Sequence, residues 1–120
     1  MVKAPIYNSI KKLSNHEDVK FALLMTKKGK LLVKTGMLGN INMRELVTYT
    51  ATLYASGVQT NKTLKNKFPK KITIEDPDGF MVLTTVDKDH VIVVRTFELD
   101  DISEVLSLIE SSRWTILTEI

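Results

Sequence analysis

Side chains able to do acid, base or metal chemistry are few in this sequence and lie far apart. Each of the two histidines, His16 and His90, stands alone near the end of a predicted element, where a solvated side chain is the usual state. Asp87 and Asp89 have the oxygen ligands that a cation prefers, but aspartate is also typical of a turn between strands. The sequence has no cysteine, no glycine-rich phosphate loop, no His-x-x-x-His pair and no nucleophile elbow. We therefore expect no catalytic residue, no metal site and no cofactor, and we predict that the protein is not an enzyme.

A cluster of lysines after the longest predicted helix is the best candidate for contact with a charged partner. It consists of Lys62, Lys65, Lys67, Lys70 and Lys71. Lysines at the C-terminal end of a helix also complement its dipole and keep an edge strand soluble, so a solvated surface is the simplest interpretation. Phe68 is the only aromatic residue among them, which gives little support to stacking on nucleic acid. Among partners we favour an acidic protein over nucleic acid.

Length and charge place the chain among soluble single-domain proteins. The 120 residues include 17 basic and 14 acidic side chains, a net charge of +3. The basic residues are concentrated before position 72, yet they alternate with apolar residues, so this half of the chain is expected to fold. Apolar runs such as residues 21–25 are far too short to span a bilayer, and residues 1–12 contain no signal-peptide core. We predict one cytoplasmic domain over residues 1–120, without membrane insertion.

Hydrophobic periodicity predicts three helices and five strands in the order αββαβββα. The predicted elements are a helix over 4–14, strands over 19–26 and 31–35, a long helix capped by Asn42 and ended by Pro69, strands over 72–75, 80–86 and 90–96, and a helix from about Asp100. The apolar stripe of the long helix is expected to continue to Leu64 and Phe68.

Short connections between most strands predict an antiparallel sheet. The first and fifth strands are apolar on both faces and belong in the centre, whereas the second and third carry lysines and suit the edges. The strand order 2-1-5-4-3 satisfies both conditions. Helices must then cover both faces, so we predict an α+β fold, a three-layer α/β/α sandwich with the long helix on one side.

The long helix lacks a charged outer face. Residues 46–61 are sixteen consecutive residues without a charge, although 26% of the chain is charged. The side opposite the apolar stripe, to which Leu53 is assigned, carries neutral and mostly small residues: Thr48, Tyr49, Ala51, Thr52, Ala55, Ser56 and Gln59. All of these except Tyr49 are selected as interface residues. Depletion of charge is the mark of an interface core, and small side chains allow close approach of a second backbone. A weakly polar solvated face is the alternative, but we favour a symmetric dimer in which helices pack and third strands meet.

The sequence resembles the roadblock family of dynein light chains and small-GTPase regulators. The resemblance lies in FALLMTKKGKLLV at 21–33, the long helix, and ITIEDPDGFMVL at 72–83, and it extends from Ile6 to Ser112. Family members often have an acidic residue or Asn where this chain has Lys28, and a glycine where it has Asp76-Pro77. Both departures alter surfaces that a partner contacts, and neither affects the fold.

The resemblance implies a homodimer, or a heterodimer with a roadblock paralogue, formed through the second helix and third strand. Carried over to this sequence, the strand surface is Ile72, Thr73, Ile74 and Glu75, beside the helix residues already selected. It also implies a non-enzymatic platform that binds a Ras-like small GTPase or assembles larger complexes, and some bacterial relatives act as GTPase activators.

Two other functions stay open at this point. Profilin has a similar three-layer order and also begins with a helix, which makes an actin-binding module the structural alternative. A small-ligand sensory domain is the other, although no convergent set of polar residues is visible to line a cavity.

Overall fold

Helices and strands form in the predicted order. The computed structural model describes residues 2–65 and 68–120. Its elements are α1 (Ala4–Ser14), β1 (Val19–Thr26), β2 (Leu31–Gly36), α2 (Met43–Thr63), β3 (Lys71–Asp76), β4 (Gly79–Thr85), β5 (His90–Thr96) and α3 (Ser103–Glu119). The order αββαβββα and the α+β class are confirmed. Within the described residues, no helix is both long enough and apolar enough to cross a membrane.

The five strands form one antiparallel sheet in the order β2-β1-β5-β4-β3. In the centre, Ala22 of β1 lies opposite Val94 of β5, and Leu23 lies opposite Val93. All four side chains are fully buried, although neighbours along a strand point to opposite faces. Both faces of the central strands are therefore covered, and the predicted strand order is confirmed.

Helices cover the two faces of the sheet. On one face α1 and α3 bury Ile10 and Ile109, and the Ser112 hydroxyl donates a hydrogen bond to the Ser9 carbonyl oxygen at 3.3 Å. On the other face α2 buries Val47 against the sheet. The first and last helices thus share one layer, α2 forms the other, and the three-layer sandwich is confirmed.

Tyr54 anchors α2 to the end of β4. Its hydroxyl lies 2.9 Å from Thr85 Oγ1, which donates its own proton to the Pro69 carbonyl oxygen at 2.6 Å. Tyr54 must therefore be the donor in the first of these bonds. Burial raises the pKa of Tyr54. This chain of hydrogen bonds joins the helix, the sheet and the segment before β3.

The helix starts follow local hydrogen bonds. Asn42 Oδ1 accepts a hydrogen bond from the Glu45 N–H at 3.1 Å, as expected of the predicted N-cap of α2. α3 begins at Ser103 rather than at about Asp100. The reason is that Asp101 Oδ1 accepts hydrogen bonds from the Ser103 hydroxyl (2.6 Å) and N–H (2.8 Å), which lower the pKa of Asp101.

The C-terminal end of α2 departs from the prediction. The helix ends at Thr63, and Lys65 has left-handed backbone geometry with φ 64°. Leu64 and Phe68, expected on the buried stripe, are 66% and 40% exposed. That part of the prediction is wrong, because a left-handed residue stops the helix before the stripe is complete.

Gly36 allows β2 to end in close contact with β1. Its φ is +96°, and a Cβ atom there would lie 2.6 Å from the Lys20 carbonyl oxygen and 2.7 Å from Phe21 Cα. Both neighbours are backbone atoms and cannot rotate away. We expect Gly36→Ala to lower the free energy of unfolding by about 3 kcal/mol, through an unfavourable φ and displacement of β1. Urea unfolding measures this loss.

Gly39→Ala is the matched control for this prediction. Gly39 also has a positive φ, +54°, but nothing lies within 4 Å of an added Cβ atom. The expected loss is about 1 kcal/mol, from the backbone conformation alone. Equal losses for the two variants would contradict the steric explanation.

Candidate protein interface

Between residues 46 and 61 the outer face of α2 is neutral and exposed, and two of its threonines donate hydrogen bonds within the helix. Thr52 Oγ1 donates to the Thr48 carbonyl oxygen at 3.1 Å, and Thr60 Oγ1 donates to the Ser56 carbonyl oxygen at 2.9 Å. Tyr49, at the margin of this face, is 69% exposed. If this face were buried against another protein, both threonine hydroxyls would keep their hydrogen-bond partners. Desolvation of the face would therefore cost little free energy.

One flank of α2 faces the β1–β2 hairpin. A Cβ atom added at Gly29, in the hairpin turn, would lie 3.6 Å from Ala51 Cβ, and Ala51 is half-buried. Ala55 lies one turn further along and lines a groove with Lys27 and Lys28 of the hairpin. We call this side the hairpin flank; helical spacing assigns to it Ala51, Ala55, Val58 and Lys62.

The opposite flank of α2 faces β3. A Cβ atom added at Gly57 would lie 2.6 Å from Ile72 Cδ1 of β3, and Leu53, one turn before Gly57, is half-buried. We call this side the β3 flank; it comprises Tyr49, Leu53, Ser56, Gly57 and Thr60.

The structure therefore divides the helix residues that the sequence selected. Ala51 and Ala55 lie on the hairpin flank, Ser56 lies on the β3 flank, and Thr48, Thr52 and Gln59 are exposed on the outer face between them. The sequence placed Tyr49 on the outward side of the helix without selecting it for the interface, and it assigned Leu53 to the core stripe. The signal that Tyr49 offered is a large aromatic side chain on the outward side of a neutral window.

β3 is an edge strand, and its partner in the sheet is β4. Ile72 is half-buried near α2, and Thr73, Ile74 and Glu75 are exposed. The outer edge of such a strand carries backbone N–H and C=O groups available to a second strand. Ile74 is on the α2 side of the sheet, two residues after Ile72 and in register with Met81 of β4. The β3 flank and the β3 edge thus form adjacent parts of one surface.

A bidentate ion pair borders this surface. Arg95 Nη1 and Nη2 each lie 2.9 Å from an oxygen of Asp76, and these hydrogen bonds hold the pKa of Asp76 below its usual range. Arg95 is in β5 and in register with Met81, so the pair spans β4 and fixes the end of β3. Sequence reasoning missed it because the two residues are far apart in the chain.

The predicted lysine cluster does not form one patch. Lys62 and Lys65 are exposed at the end of α2. Lys70 and Lys71 line a groove of about 270 Å³ beside Glu110 of α3, on the other side of the sheet. Lys67 lies outside the described residues. The cluster is divided because the chain passes from the α2 layer into β3 between its two halves.

The histidines and turn aspartates have local structural partners. His16 Nε2 lies 3.1 Å from Glu104 Oε1, and its Nδ1 accepts a hydrogen bond from the Asp18 N–H at 3.1 Å. Asp87 Oδ1 accepts hydrogen bonds from the Asp89 N–H and from the N–H and ring Nδ1 of His90, each at 2.8 Å. Across residues 2–65 and 68–120, no three His, Cys, Asp or Glu side chains are grouped as a metal site would require.

Asp87 is expected to stabilise its turn in a pH-dependent way. Burial raises its pKa, but hydrogen bonds from Asp89 and His90 lower the pKa more, and the net shift is downward. A lowered pKa in the folded state contributes stability above the unfolded value of about 4, and this stability is lost as the pH falls through the folded value. We expect Asp87→Asn to lower the free energy of unfolding by about 1 kcal/mol at pH 7, with solvent screening limiting the effect, and by less at pH 3.

Asp89→Asn serves as the control, because the Asp89 carboxylate is more exposed and lies 4.0 Å from Lys27 Nζ. Thermal unfolding of both variants across this pH range makes the comparison. If Asp87→Asn lowers the free energy of unfolding equally at pH 7 and pH 3, the stabilisation does not come from the charge of Asp87.

Comparison with known proteins gives a consistent result for the fold. A sequence model described as Roadblock/LC7 domain matches residues 6–96. The chain superimposes on MglB from Myxococcus xanthus with a TM-score of 0.92 at 19% identity, covering 98% of this chain and 96% of that chain. A structure described as MglB with tetrameric arrangement gives 0.85 at 15% identity, covering 98% and 91%. A Roadblock/LC7 domain from Streptomyces avermitilis gives 0.81 at 11% identity, covering 92% of each chain. No curated protein matches in sequence.

Proposed function

Because the chain belongs to the Roadblock/LC7 family, we propose that it is a dimeric, non-enzymatic regulator or scaffold for a Ras-like small GTPase. The observation that carries the proposal is the uncharged outer face of α2 beside the unpaired edge of β3. In a protein that stays monomeric, the outer face of a surface helix normally carries charged side chains. An exposed edge strand is normally protected against pairing with another chain. The partner in the dimer is a second copy of this chain or a roadblock paralogue.

In the proposed dimer, the β3 flank and the β3 edge meet the same surfaces of the partner across a two-fold axis. Tyr49 and Leu53 supply apolar area, and Ile74 extends it onto the sheet. An isologous contact of this kind uses one patch twice and leaves no β3 edge open to further strands. The description of one MglB structure as tetrameric supports self-association as a property of that similar fold.

The chain contributes contacts rather than catalytic groups in this proposal. Both histidines and Asp87 are engaged in local hydrogen bonds that hold turns and element ends. Any change in the rate of GTP hydrolysis would then arise from the GTPase's own residues, repositioned by the contact.

Pull-down of small GTPases loaded with GTP or with GDP tests this function, with actin as the parallel bait. We expect the chain to retain a small GTPase in preference to actin and to distinguish its two nucleotide states. Single-turnover GTP hydrolysis with and without the chain then separates an activator from a scaffold. Failure to retain any small GTPase from the same organism would overturn the proposal.

A further inference from the structure

The hairpin flank of α2 and the β1–β2 hairpin enclose two grooves that the proposed dimer does not use. The first has a volume of about 250 Å³, and Tyr54, Ala55, Val58 and Phe68 give it an apolar lining. The second has a volume of about 350 Å³, on the side of Met43 and Val47. The close approach of the hairpin turn to Ala51 separates them. Both lie near the lower end of the about 300–1,000 Å³ of small-molecule sites, so each suits one bulky side chain better than a cofactor.

Positive charges surround these apolar grooves. Lys27 and Lys28 line the first, and Arg44 lines the second. Lys62 is on the hairpin flank one turn beyond Val58, and Lys30 belongs to the same hairpin. Within the described parts of the chain, Lys28, Lys30, Arg44 and Lys62 form no ion pair.

Within the described residues, one acidic side chain pairs with this basic rim. Asp89 Oδ1 lies 4.0 Å from Lys27 Nζ, at the distance limit of an ion pair. The floor of the first groove needs no polar partner, because the Tyr54 hydroxyl is already bonded to Thr85. An occupant of matching chemistry is therefore negatively charged along its length and apolar at two points.

We propose that the two grooves bind an acidic peptide segment of a partner protein that carries two apolar anchor residues, one seated on each side of the hairpin turn. Its carboxylates face Lys28, Arg44 and Lys62, and its anchors fill the grooves. A flat membrane surface would not enter such concave sites, and nucleic acid would not use their apolar lining. The proposal goes beyond the GTPase role and does not depend on it, since the hairpin flank and the β3 flank are opposite sides of α2.

Selection from a library of random peptides displayed on phage, with the full chain immobilised, tests the proposal. We expect enrichment of peptides rich in Asp and Glu with two spaced apolar residues. The synthesised peptide is then titrated by fluorescence anisotropy against Ala55→Glu, which places a like charge in the first groove, and against Lys28→Glu on its rim. The expected weakening is at least about tenfold for Ala55→Glu and about threefold for Lys28→Glu, with wild-type affinity falling as salt rises.

Ser111→Glu is the matched control, because it adds the same charge on an exposed position of α3. The affinity of Ser111→Glu for the peptide should differ from that of the wild type by less than about twofold, because the added charge is far from the grooves. No enrichment of acidic peptides, or equal binding by wild type and Ala55→Glu, would overturn the proposal. Phosphatidylserine vesicles and single-stranded DNA are tested in parallel. If Ala55→Glu abolishes binding to one of these and leaves peptide binding unchanged, the grooves belong to that ligand instead.

Discussion

Ser56→Glu is expected to convert the proposed dimer to a monomer without unfolding the subunit. Ser56 is exposed on the β3 flank, beside Leu53 and Tyr49, so in the proposed dimer the variant places a carboxylate from each protomer in the contact. Two like charges without counter-ions in a dehydrated contact cost several kcal/mol, so the dimer dissociation constant should rise by at least about 100-fold. Sedimentation equilibrium measures it, and far-UV circular dichroism verifies the fold.

Ala55→Glu is the matched control for the dimer. It adds the same charge at the neighbouring residue, but Ala55 is on the hairpin flank, next to Lys27 and Lys28. The dimer should survive this change. If Ala55→Glu is monomeric and Ser56→Glu is dimeric, our assignment of the two flanks is reversed. If the wild type is monomeric at micromolar concentration, the dimer itself is refuted.

Tyr54→Ala is expected to lower the free energy of unfolding by about 4 kcal/mol. Tyr54 is 3% exposed, packs in the core with Leu83 and Val91, and donates the hydrogen bond to Thr85. Removal of its ring leaves a cavity between α2 and the sheet in addition to the lost burial. Urea unfolding measures the loss, and a value under about 1 kcal/mol would show that α2 is anchored elsewhere.

Tyr54→Phe separates the ring from the hydroxyl. It keeps the packing and should cost about 1 kcal/mol at pH 7, since only the bond to Thr85 is lost. Burial raises the pKa of Tyr54, so the folded state holds its proton more tightly than the unfolded chain. The stability that the neutral hydroxyl contributes is complete below pH about 10 and is lost as the pH rises through the pKa of Tyr54 in the folded state. The difference in free energy of unfolding between wild type and Tyr54→Phe should therefore shrink at high pH.

Local pattern was enough to predict the architecture. Strands apolar on both faces, such as β1 and β5, can be stable only in the centre of a covered sheet, and this fixed the strand order. The error at Leu64 and Phe68 had a different source. Helical periodicity describes where a side chain would point if the helix continued, and it says nothing about the left-handed backbone at Lys65.

The surroundings of α2 were predicted less completely, because periodicity selects a face of a helix but not the neighbour on each side of it. Ala51 and Ser56 both avoid the core stripe, yet one lies beside the hairpin and the other toward β3. Likewise, Lys62 and Lys70 are close in sequence and belong to different layers. Contacts of this kind depend on how α2 crosses the sheet, which no single segment of sequence specifies.

The shared layer of α1 and α3 affects how the chain folds during synthesis. β1 and β5 pair across most of the sequence, and the side chains of Ala22 and Val94 point toward this layer. Until the ribosome has released α3, α1 alone covers that side of the sheet, and an apolar surface stays open to solvent. Ile109 and Ile116 close it last. The nascent chain should therefore need a chaperone most at the stage when all five strands have emerged and α3 has not.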